Sequence, residues 1–167
     1  PGGSVELYKI NSDGTFTAEN SRNTLTNSSD GTYVLETKDL IQYVYNSNGF
    51  VMSSSDRYGN ITKYDTDANG NITKITSDTG LTYTLNYSDG KVTEIKDNIT
   101  GRNTTFTYSD GKLVQSTNPL GTNVYYSYDS NGRLSEVKDH YQNIIETVEY
   151  TADGKVSSII DVNGNKQ

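Results

Sequence analysis

The stretch Val124-Tyr-Tyr-Ser-Tyr-Asp-Ser-Asn-Gly-Arg-Leu-Ser-Glu-Val-Lys-Asp139 has the pattern of a β-hairpin. Its first residues alternate between an apolar and a more polar series, which is the period of two of a strand whose two faces differ. Asn131 tolerates a left-handed backbone, and Gly132 enters it without a Cβ clash, so the chain can reverse tightly at this point. A second strand is therefore predicted to begin at Leu134.

Weaker copies of this hairpin recur along the chain. The glycines of the first turn of each copy lie 20 to 22 residues apart. They are Gly49, Gly70, Gly90, Gly111, Gly132 and Gly154. A second turn follows about ten residues later in each copy, and there Gln142 stands where a glycine is expected. Because a unit of two strands cannot bury a face alone, the repeats are predicted to pair with one another in an array.

A tyrosine precedes the first-turn glycine by three or four residues in most repeats. These residues are Tyr45, Tyr87, Tyr108, Tyr128 and Tyr150. One interpretation is a cross-strand ladder of rings that fixes the register between repeats. The other is a binding face, because aromatic rings with hydroxyl groups suit sugar rings. The regular spacing favours the ladder.

The segment Tyr128-Asp-Ser-Asn-Gly-Arg-Leu134, preceded by Asn118-Pro-Leu-Gly121, resembles the YD repeat, which is also called the RHS repeat. The resemblance covers residues 41–167 and depends on the period more than on one dipeptide. This family includes bacterial wall-associated and polymorphic-toxin proteins, insecticidal toxin complexes and animal teneurins. The Tyr-Asp pair is in register only at Tyr128-Asp129, and Thr66 replaces the tyrosine in one repeat, so the array is degenerate.

The resemblance implies an antiparallel sheet that spirals into a hollow shell. It also implies a non-catalytic structural segment of a bacterial protein that is secreted or bound to the cell surface in association with the cell wall. The implied partners are the neighbouring repeats of the parent chain and an enclosed C-terminal toxin domain. The alternative is an adhesion module that binds glycans or a surface partner through its tyrosine-rich face.

The composition agrees with an all-β, strongly curved sheet of consecutive antiparallel hairpins. Hydrophobic residues make up 31% of the chain, and adding glycine gives about 40%, which is below the range usual for globular domains. Fourteen tyrosines and three phenylalanines are the aromatic residues, so a large ring often carries a hydroxyl group to a sheet face. Six repeats give about twelve strands, and open sheets of this size curl. A sandwich of two sheets remains the alternative.

Charge and residue content exclude several classes of protein. The net charge of −7 argues against a nucleic-acid partner, since such partners require a basic surface. No apolar run approaches the length of a membrane span, so membrane insertion is not expected. The chain has no cysteine and one histidine. No motif points to a cofactor or to a catalytic group, and the chain is predicted not to be an enzyme.

One segment resembles the start of a calcium loop. Asp65, Asp67 and Asn69 place oxygen ligands at positions 1, 3 and 5, and Gly70 occupies the sixth position. Position 12 is Thr76, whereas a calcium loop has a bidentate Glu there. The sequence therefore favours an ordinary hairpin turn with an additional Asp before it, and no metal is expected.

The chain divides into three parts on the basis of the period. Residues 1–4 (Pro-Gly-Gly-Ser) are interpreted as an expression remnant, residues 5–40 as degenerate strands or a cap, and residues 41–167 as six repeats cut from a longer array. The last strand is then an edge that pairs with a second copy. After each first turn, apolar residues such as Leu134 and Val137 lie three apart. Either both faces are covered, or a bulge beside the glycine resets the alternation.

Overall fold

The computed structural model describes residues 6–18 and 21–167, and within them the regular structure consists of sixteen β-strands. The predicted all-β fold of consecutive antiparallel hairpins is confirmed. The strands are β1 (Tyr8–Ile10), β2 (Phe16–Ala18), β3 (Thr24–Asn27), β4 (Tyr33–Glu36), β5 (Gln42–Tyr45), β6 (Val51–Ser55), β7 (Ile61–Thr66), β8 (Ile72–Thr76), β9 (Thr82–Ser88), β10 (Lys91–Asp97), β11 (Asn103–Ser109), β12 (Lys112–Thr117), β13 (Asn123–Tyr128), β14 (Leu134–Lys138), β15 (Ile144–Tyr150) and β16 (Val156–Asp161).

The structure divides into two compact units. The N-terminal unit extends to residue 85 and includes residues 97–99, and the C-terminal unit comprises residues 86–96 and 100–167. In the N-terminal unit β1 pairs with β2, and the strands that follow β3 pair in chain order. In the C-terminal unit the strands from β10 to β16 also pair in chain order. Every pair is antiparallel, as expected when short turns join neighbouring strands.

A β-bulge lies beside the first turn of the hairpins. In β13 and β14, Tyr128 pairs with Leu134, whereas Ser127 pairs with Glu136, so Ser135 has no opposite residue. The same one-residue shift occurs in the hairpins β5–β6, β7–β8, β11–β12 and β15–β16. Because Val137 pairs with Tyr126, it lies on the same face as Leu134. The bulge thus explains the three-residue spacing of apolar residues after the turn.

The described residues contain almost no buried core. Val137 is the one buried apolar residue among them, with 9% of its surface exposed, and Ser158 is the one buried polar residue. Most strand residues are half-buried. In strands such as β12 and β13 the residues of both faces are half-buried, so neither face packs into a dry core, which agrees with the low apolar content of the sequence. The described residues therefore show no filled core of the kind that a sandwich requires.

The two ends of the chain add detail to the sequence analysis. Within residues 5–40, the alternation at residues 5–10, 15–18 and 32–37 predicts three strands, and these correspond to β1, β2 and β4; Val5 and residues 1–4 lie outside the described residues. Strand β3 was not predicted, because Thr24–Asn27 contains a single apolar residue. At the other end, the Gln167 N–H donates to the Ile159 carbonyl oxygen, and the Ile159 N–H donates to Gln167. The outer edge of β16 is therefore paired at Ile159.

Within the described part of the chain, no helix is long and apolar enough to cross a membrane.

Candidate functional site: the junctions between hairpins

In the C-terminal unit, consecutive hairpins pair with each other only near the second turn. Strands β12 and β13 are in register from Thr117 and Asn123 to Gln115 and Tyr125. Beyond these residues β13 pairs with β14 alone. The pairs between β10 and β11 and between β14 and β15 likewise lie near the second turn. The backbone ladder thus leaves a gap between neighbouring hairpins towards their first turns.

Three of the tyrosines that the repeat predicted span this gap with hydrogen bonds. The Tyr128 hydroxyl donates a hydrogen bond of 2.8 Å to the Leu113 carbonyl oxygen of the preceding hairpin. Tyr108 donates to the Val92 carbonyl at 2.9 Å, and Tyr150 donates to the Leu134 carbonyl at 2.8 Å. Each acceptor is the second residue after the first-turn glycine of the preceding hairpin. One side-chain bond therefore connects two hairpins where the backbone ladder has ended.

A basic residue accompanies each of these tyrosines. The Lys91 ammonium lies 6.0 Å from the Tyr108 ring centroid, and the Lys112 ammonium lies 5.3 Å from that of Tyr128. The Arg133 guanidinium lies 4.3 Å from that of Tyr150. All three cations directly follow a first-turn glycine, and at these distances a cation is attracted to the ring face. We call each set of a cation, a carbonyl acceptor and a tyrosine an inter-hairpin junction. The three junctions are Lys91, Val92 and Tyr108; Lys112, Leu113 and Tyr128; and Arg133, Leu134 and Tyr150.

The N-terminal unit fills the corresponding space in a different way. Thr66 occupies the tyrosine position before Gly70, and Phe50 occupies the position of the cation after Gly49. The Phe50 ring lies against Gly70, since a Cβ atom added there would be 2.6 Å from a ring carbon. The aromatic group is therefore supplied by the earlier hairpin instead of the later one.

The two remaining predicted tyrosines lie in strands and outside the three junctions. Tyr45 ends β5, pairs with Tyr33 and Val51, and has its ring centroid 6.5 Å from that of Tyr43. Burial raises the pKa of Tyr45. Tyr87 lies in β9. Burial also raises the pKa of Tyr128, with a smaller contribution from the nearby Tyr126.

The first turns are held by their own side chains and by left-handed glycines. The Asp129 carboxylate accepts hydrogen bonds from the Asn131 N–H at 2.9 Å and from the Arg133 N–H at 2.8 Å. These bonds lower the pKa of Asp129, and the bond from the Arg133 backbone N–H has the largest effect. All six first-turn glycines have positive φ, between 71° and 85°. They are Gly49, Gly70, Gly90, Gly111, Gly132 and Gly154.

The residues of the calcium-like segment are part of the same turn chemistry. One oxygen of the Asp67 carboxylate accepts the Asn69 and Asn71 N–H groups, at 2.8 and 2.9 Å. Its other oxygen accepts the Asn71 amide at 2.9 Å. Asp65 lies in β7 opposite Lys74. Among the described residues, no group of three or more His, Cys, Asp or Glu could hold a metal ion. The turn thus engages Asp67, and calcium binding stays a hypothesis.

The cations and the carbonyl acceptors were not identified from the sequence. Their signal is the repetition of Gly-Lys or Gly-Arg followed by Val or Leu, which occurs at residues 90–92, 111–113, 132–134 and 154–156. A lysine after a turn glycine is ordinarily a solvated residue. The repeated Gly-Lys or Gly-Arg pair therefore indicates a contact with a tyrosine only when the register of the next hairpin is known. The junctions make no reactive centre, and what they do chemically is to hold neighbouring hairpins together.

Comparisons with known proteins agree with this arrangement. A family model described as RHS Repeat matches residues 109–143, which contain the whole junction of Lys112, Leu113 and Tyr128. The comparison with curated protein sequences gives no match.

Several solved structures share the fold. The crystal structure of TcdB2-TccC3-TEV is 14% identical over 93% of this chain and 10% of its own, with a TM-score of 0.53. That of TcdB2-TccC3-Cdc42 is 15% identical over 93% of this chain and 11% of its own, also with a TM-score of 0.53. The structure of the Tc holotoxin pore of Photorhabdus luminescens is 12% identical, and the match covers 96% of this chain and 12% of its own, with a TM-score of 0.52. This chain thus spans only 10 to 12% of the length of these proteins.

The family match and the fold comparison address different parts of the chain. The family match covers residues 109–143, which contain the first turns at Gly111 and Gly132, and the structural likeness covers almost all of the residues. The resemblance inferred from the sequence is therefore confirmed: residues 109–143 match the RHS Repeat model, and the chain shares the fold of the TcdB2-TccC3 and Tc holotoxin structures.

Proposed function

We propose that this chain is a non-catalytic structural segment of a secreted or cell-surface bacterial RHS-repeat protein. In this proposal its hairpins form part of a β-shell that encloses a C-terminal toxin domain. The observation that carries the proposal is the inter-hairpin junction, which occurs three times in the C-terminal unit. It connects each hairpin to the preceding one by the same contacts, so it can be repeated along an array of any length.

The low burial of the described residues, a general property of large sheets and one of the matched structures support a wall in preference to a compact domain. The described residues bury one apolar side chain, so the strands do not depend on a thick core. Sheets of more than about ten strands curl or split, and a curled sheet has an inside that can hold another chain. One matched structure is the pore of a Tc holotoxin, and this supports a toxin as the enclosed chain.

Limited proteolysis of the full-length parent protein tests the proposal. We expect the segment that follows the repeats to resist a protease in the intact protein and to be cleaved when it is expressed alone. The variant Tyr128→Ala removes one junction and should increase cleavage of that segment, because a gap opens between β12 and β13. Tyr141→Ala is the matched control, since Tyr141 is a turn residue with 81% of its surface exposed.

Two results would contradict the proposal. One is equal cleavage of the C-terminal segment in the intact protein and in isolation, which would show that nothing encloses it. The other is recovery of the parent protein only from the cytosolic fraction, with none in the medium or on the cell surface.

A further inference from the structure

Five Asp-Gly pairs lie in turns that the structure describes, and they begin at Asp13, Asp30, Asp89, Asp110 and Asp153. At Asp110 the turn has only two residues, because Ser109 pairs with Lys112. Asp110 and Gly111 both have positive φ, 49° and 76°, and the pair that begins at Asp89 has the same conformation, with φ of 50° and 71°. Two successive left-handed residues are the mark of the tightest hairpin turn. We call these two the short-turn pairs and the other three the long-turn pairs.

The glycine nitrogen differs between the two classes of pair. In the long-turn pairs the glycine N–H donates to the carbonyl oxygen three residues earlier. This bond is 3.0 Å long at Gly14, Gly31 and Gly154. Among the residues that the structure describes, the N–H groups of Gly90 and Gly111 donate to no protein group, and both glycines are exposed to water. In the short-turn pairs the nitrogen can therefore react without first breaking a bond of the turn.

The aspartate carboxyls divide in the same way. In the long-turn pairs each carboxyl is bonded within its own turn, as that of Asp153 is to the Thr151 hydroxyl and to the Lys155 ammonium, 2.9 Å away. Hydrogen bonds from a threonine of the turn are the largest cause that lowers the pKa of these three carboxyls, so less of the protonated acid is present. In the described part of the chain, the carboxyls of Asp89 and Asp110 enter no hydrogen bond or ion pair.

We propose that Asp89 and Asp110 are sites of spontaneous conversion to isoaspartate. The Gly111 nitrogen forms a bond to Cγ of Asp110, and the amide proton leaves with the hydroxyl of the protonated carboxyl as water. Glycine favours this attack, because it has no Cβ atom to hinder the nitrogen. Water then adds to the main-chain carbonyl carbon of the resulting cyclic imide. The bond between that carbon and the nitrogen breaks, and the main chain continues through the side-chain carbonyl. Water is lost and regained, so no cofactor or oxidant is required.

The conversion lengthens the main chain of the turn by one carbon atom. A turn of two residues has no other residue to absorb this change, so the pairing of Ser109 with Lys112 should be lost. Tyr108 and Lys112 lie on either side of the turn and belong to two inter-hairpin junctions. The modified turn therefore weakens the contacts with both neighbouring hairpins. Its exposed isoaspartyl group is the substrate class of protein isoaspartate methyltransferases.

Peptide mapping of the 167-residue protein after long incubation tests the proposal. The incubation is at neutral pH, at a temperature well below the unfolding transition. Electron-transfer fragmentation distinguishes isoaspartate from aspartate, although their masses are equal. We expect isoaspartate to accumulate at Asp89 and Asp110 about tenfold faster than in the long-turn pairs, where the bonds of the glycine and the carboxyl must break first. In urea, which opens every turn, all five pairs should convert at similar rates.

Asp110→Asn places an Asn-Gly pair in the short turn, and Asn131 with Gly132 is the matched control in a longer one. Asn tolerates the left-handed backbone at position 110, so the variant should keep its fold. The Gly132 N–H donates to the Asp129 carbonyl oxygen at 2.9 Å. The same attack on an Asn side chain releases ammonia, and the change in mass is measurable. We expect the amide at position 110 to be lost about tenfold faster than that of Asn131.

Three results would overturn the proposal. The first is isoaspartate that forms in a long-turn pair as fast as at Asp110 in the folded protein. The second is its absence from Asp89 and Asp110 in the folded protein when the sample in urea has converted. The third is loss of the Asn131 amide as fast as that at position 110 in the variant.

Discussion

Gly70 is subject to two constraints that can be separated by experiment. Its φ of 85° lies in the left-handed region, and a Cβ atom there would meet the Phe50 ring at 2.6 Å. Gly59 has a φ of 88°, but nothing lies near its Cβ position. We therefore expect Gly59→Ala to cost about 1 kcal/mol of unfolding free energy, which is the backbone strain alone. Gly70→Ala should cost about 2 to 4 kcal/mol, because the ring must also move.

Urea denaturation of the two variants and of the unchanged protein gives the comparison. A Gly70→Ala cost equal to that of Gly59→Ala would show that the Phe50 ring is not fixed against the turn. A larger cost for Gly70 would show that an aromatic group holds this pair of hairpins from the earlier side.

At the scale of residues, the sequence was informative about glycines and less so about their neighbours. The first-turn glycines follow from the period, and their conformation is local. Gln142, which stands in a glycine position, has a φ of 71°, so the turn keeps its shape without the expected residue. Lys112 and Arg133 were not identified, because a cation over a ring depends on a strand that begins more than ten residues later. Chemistry of this kind is visible only once the register is known.

The inter-hairpin junction is the element that we expect to control the pairing of hairpins. Tyr128→Phe keeps the ring and the Lys112 contact but removes the hydrogen bond to the Leu113 carbonyl. The net loss should be about 1 kcal/mol, since the carbonyl is left in a half-buried place without its donor. Hydrogen exchange of amides in residues 112–114 and 126–128 should then become about fivefold faster, in proportion to this free energy.

Tyr141→Phe is the control for this prediction, because Tyr141 lies in an exposed turn. It should leave exchange in both segments unchanged. Exchange that accelerates equally along all repeats in Tyr128→Phe would contradict a local junction, since each repeat contacts chiefly its neighbours.

The strands themselves were more predictable than the way in which they pair. Alternation of apolar residues located the strands of the repeats, and the missed β3 is the strand with the weakest alternation. The bulge was one of two explanations for the spacing of Leu134 and Val137, and the register decides between them. The gap between β12 and β13 could not be inferred, because it depends on where the ladder ends. Two strands with the same alternation can pair over their full length or over half of it.

The molecule as a whole derives its stability from ladders, junctions and turns, because the described residues bury so little apolar surface. Val137 is the one buried apolar residue in the described ranges, and the buried Ser158 hydroxyl is satisfied because it donates to the Glu149 carboxylate at 2.7 Å. Composition predicted the absence of a filled core among the described residues, since 31% hydrophobic residues are too few to fill one. At the calcium-like segment, the Asp67 carboxylate accepts hydrogen bonds from the Asn69 and Asn71 N–H groups of its own turn, and whether the segment binds calcium stays untested.

The aspartates of the turns should make the stability of the molecule depend on pH in the acidic range. Hydrogen bonds from turn residues hold the pKa of each of these carboxyls below the ordinary value of 3.8. They are Asp56, Asp67, Asp129, Asp139 and Asp161. Since the folded state binds protons less readily than the unfolded state, stability rises with pH wherever these groups titrate. The contribution is complete above the unfolded pKa and is lost as the pH falls through the lowered folded pKa.

Thermal unfolding followed by circular dichroism from pH 7 to pH 2 measures this dependence. We expect Tm to change little from pH 7 to about pH 5 and to fall steadily below about pH 4. Asp129→Asn retains an oxygen that accepts the Asn131 and Arg133 N–H groups, so it should keep the fold while reducing the fall in Tm. Asp110→Asn is the control, because the Asp110 carboxylate makes no bond in its turn, and its curve should follow that of the unchanged protein. A Tm that stays constant or rises between pH 5 and pH 3 would show that these turn carboxylates do not stabilise the array.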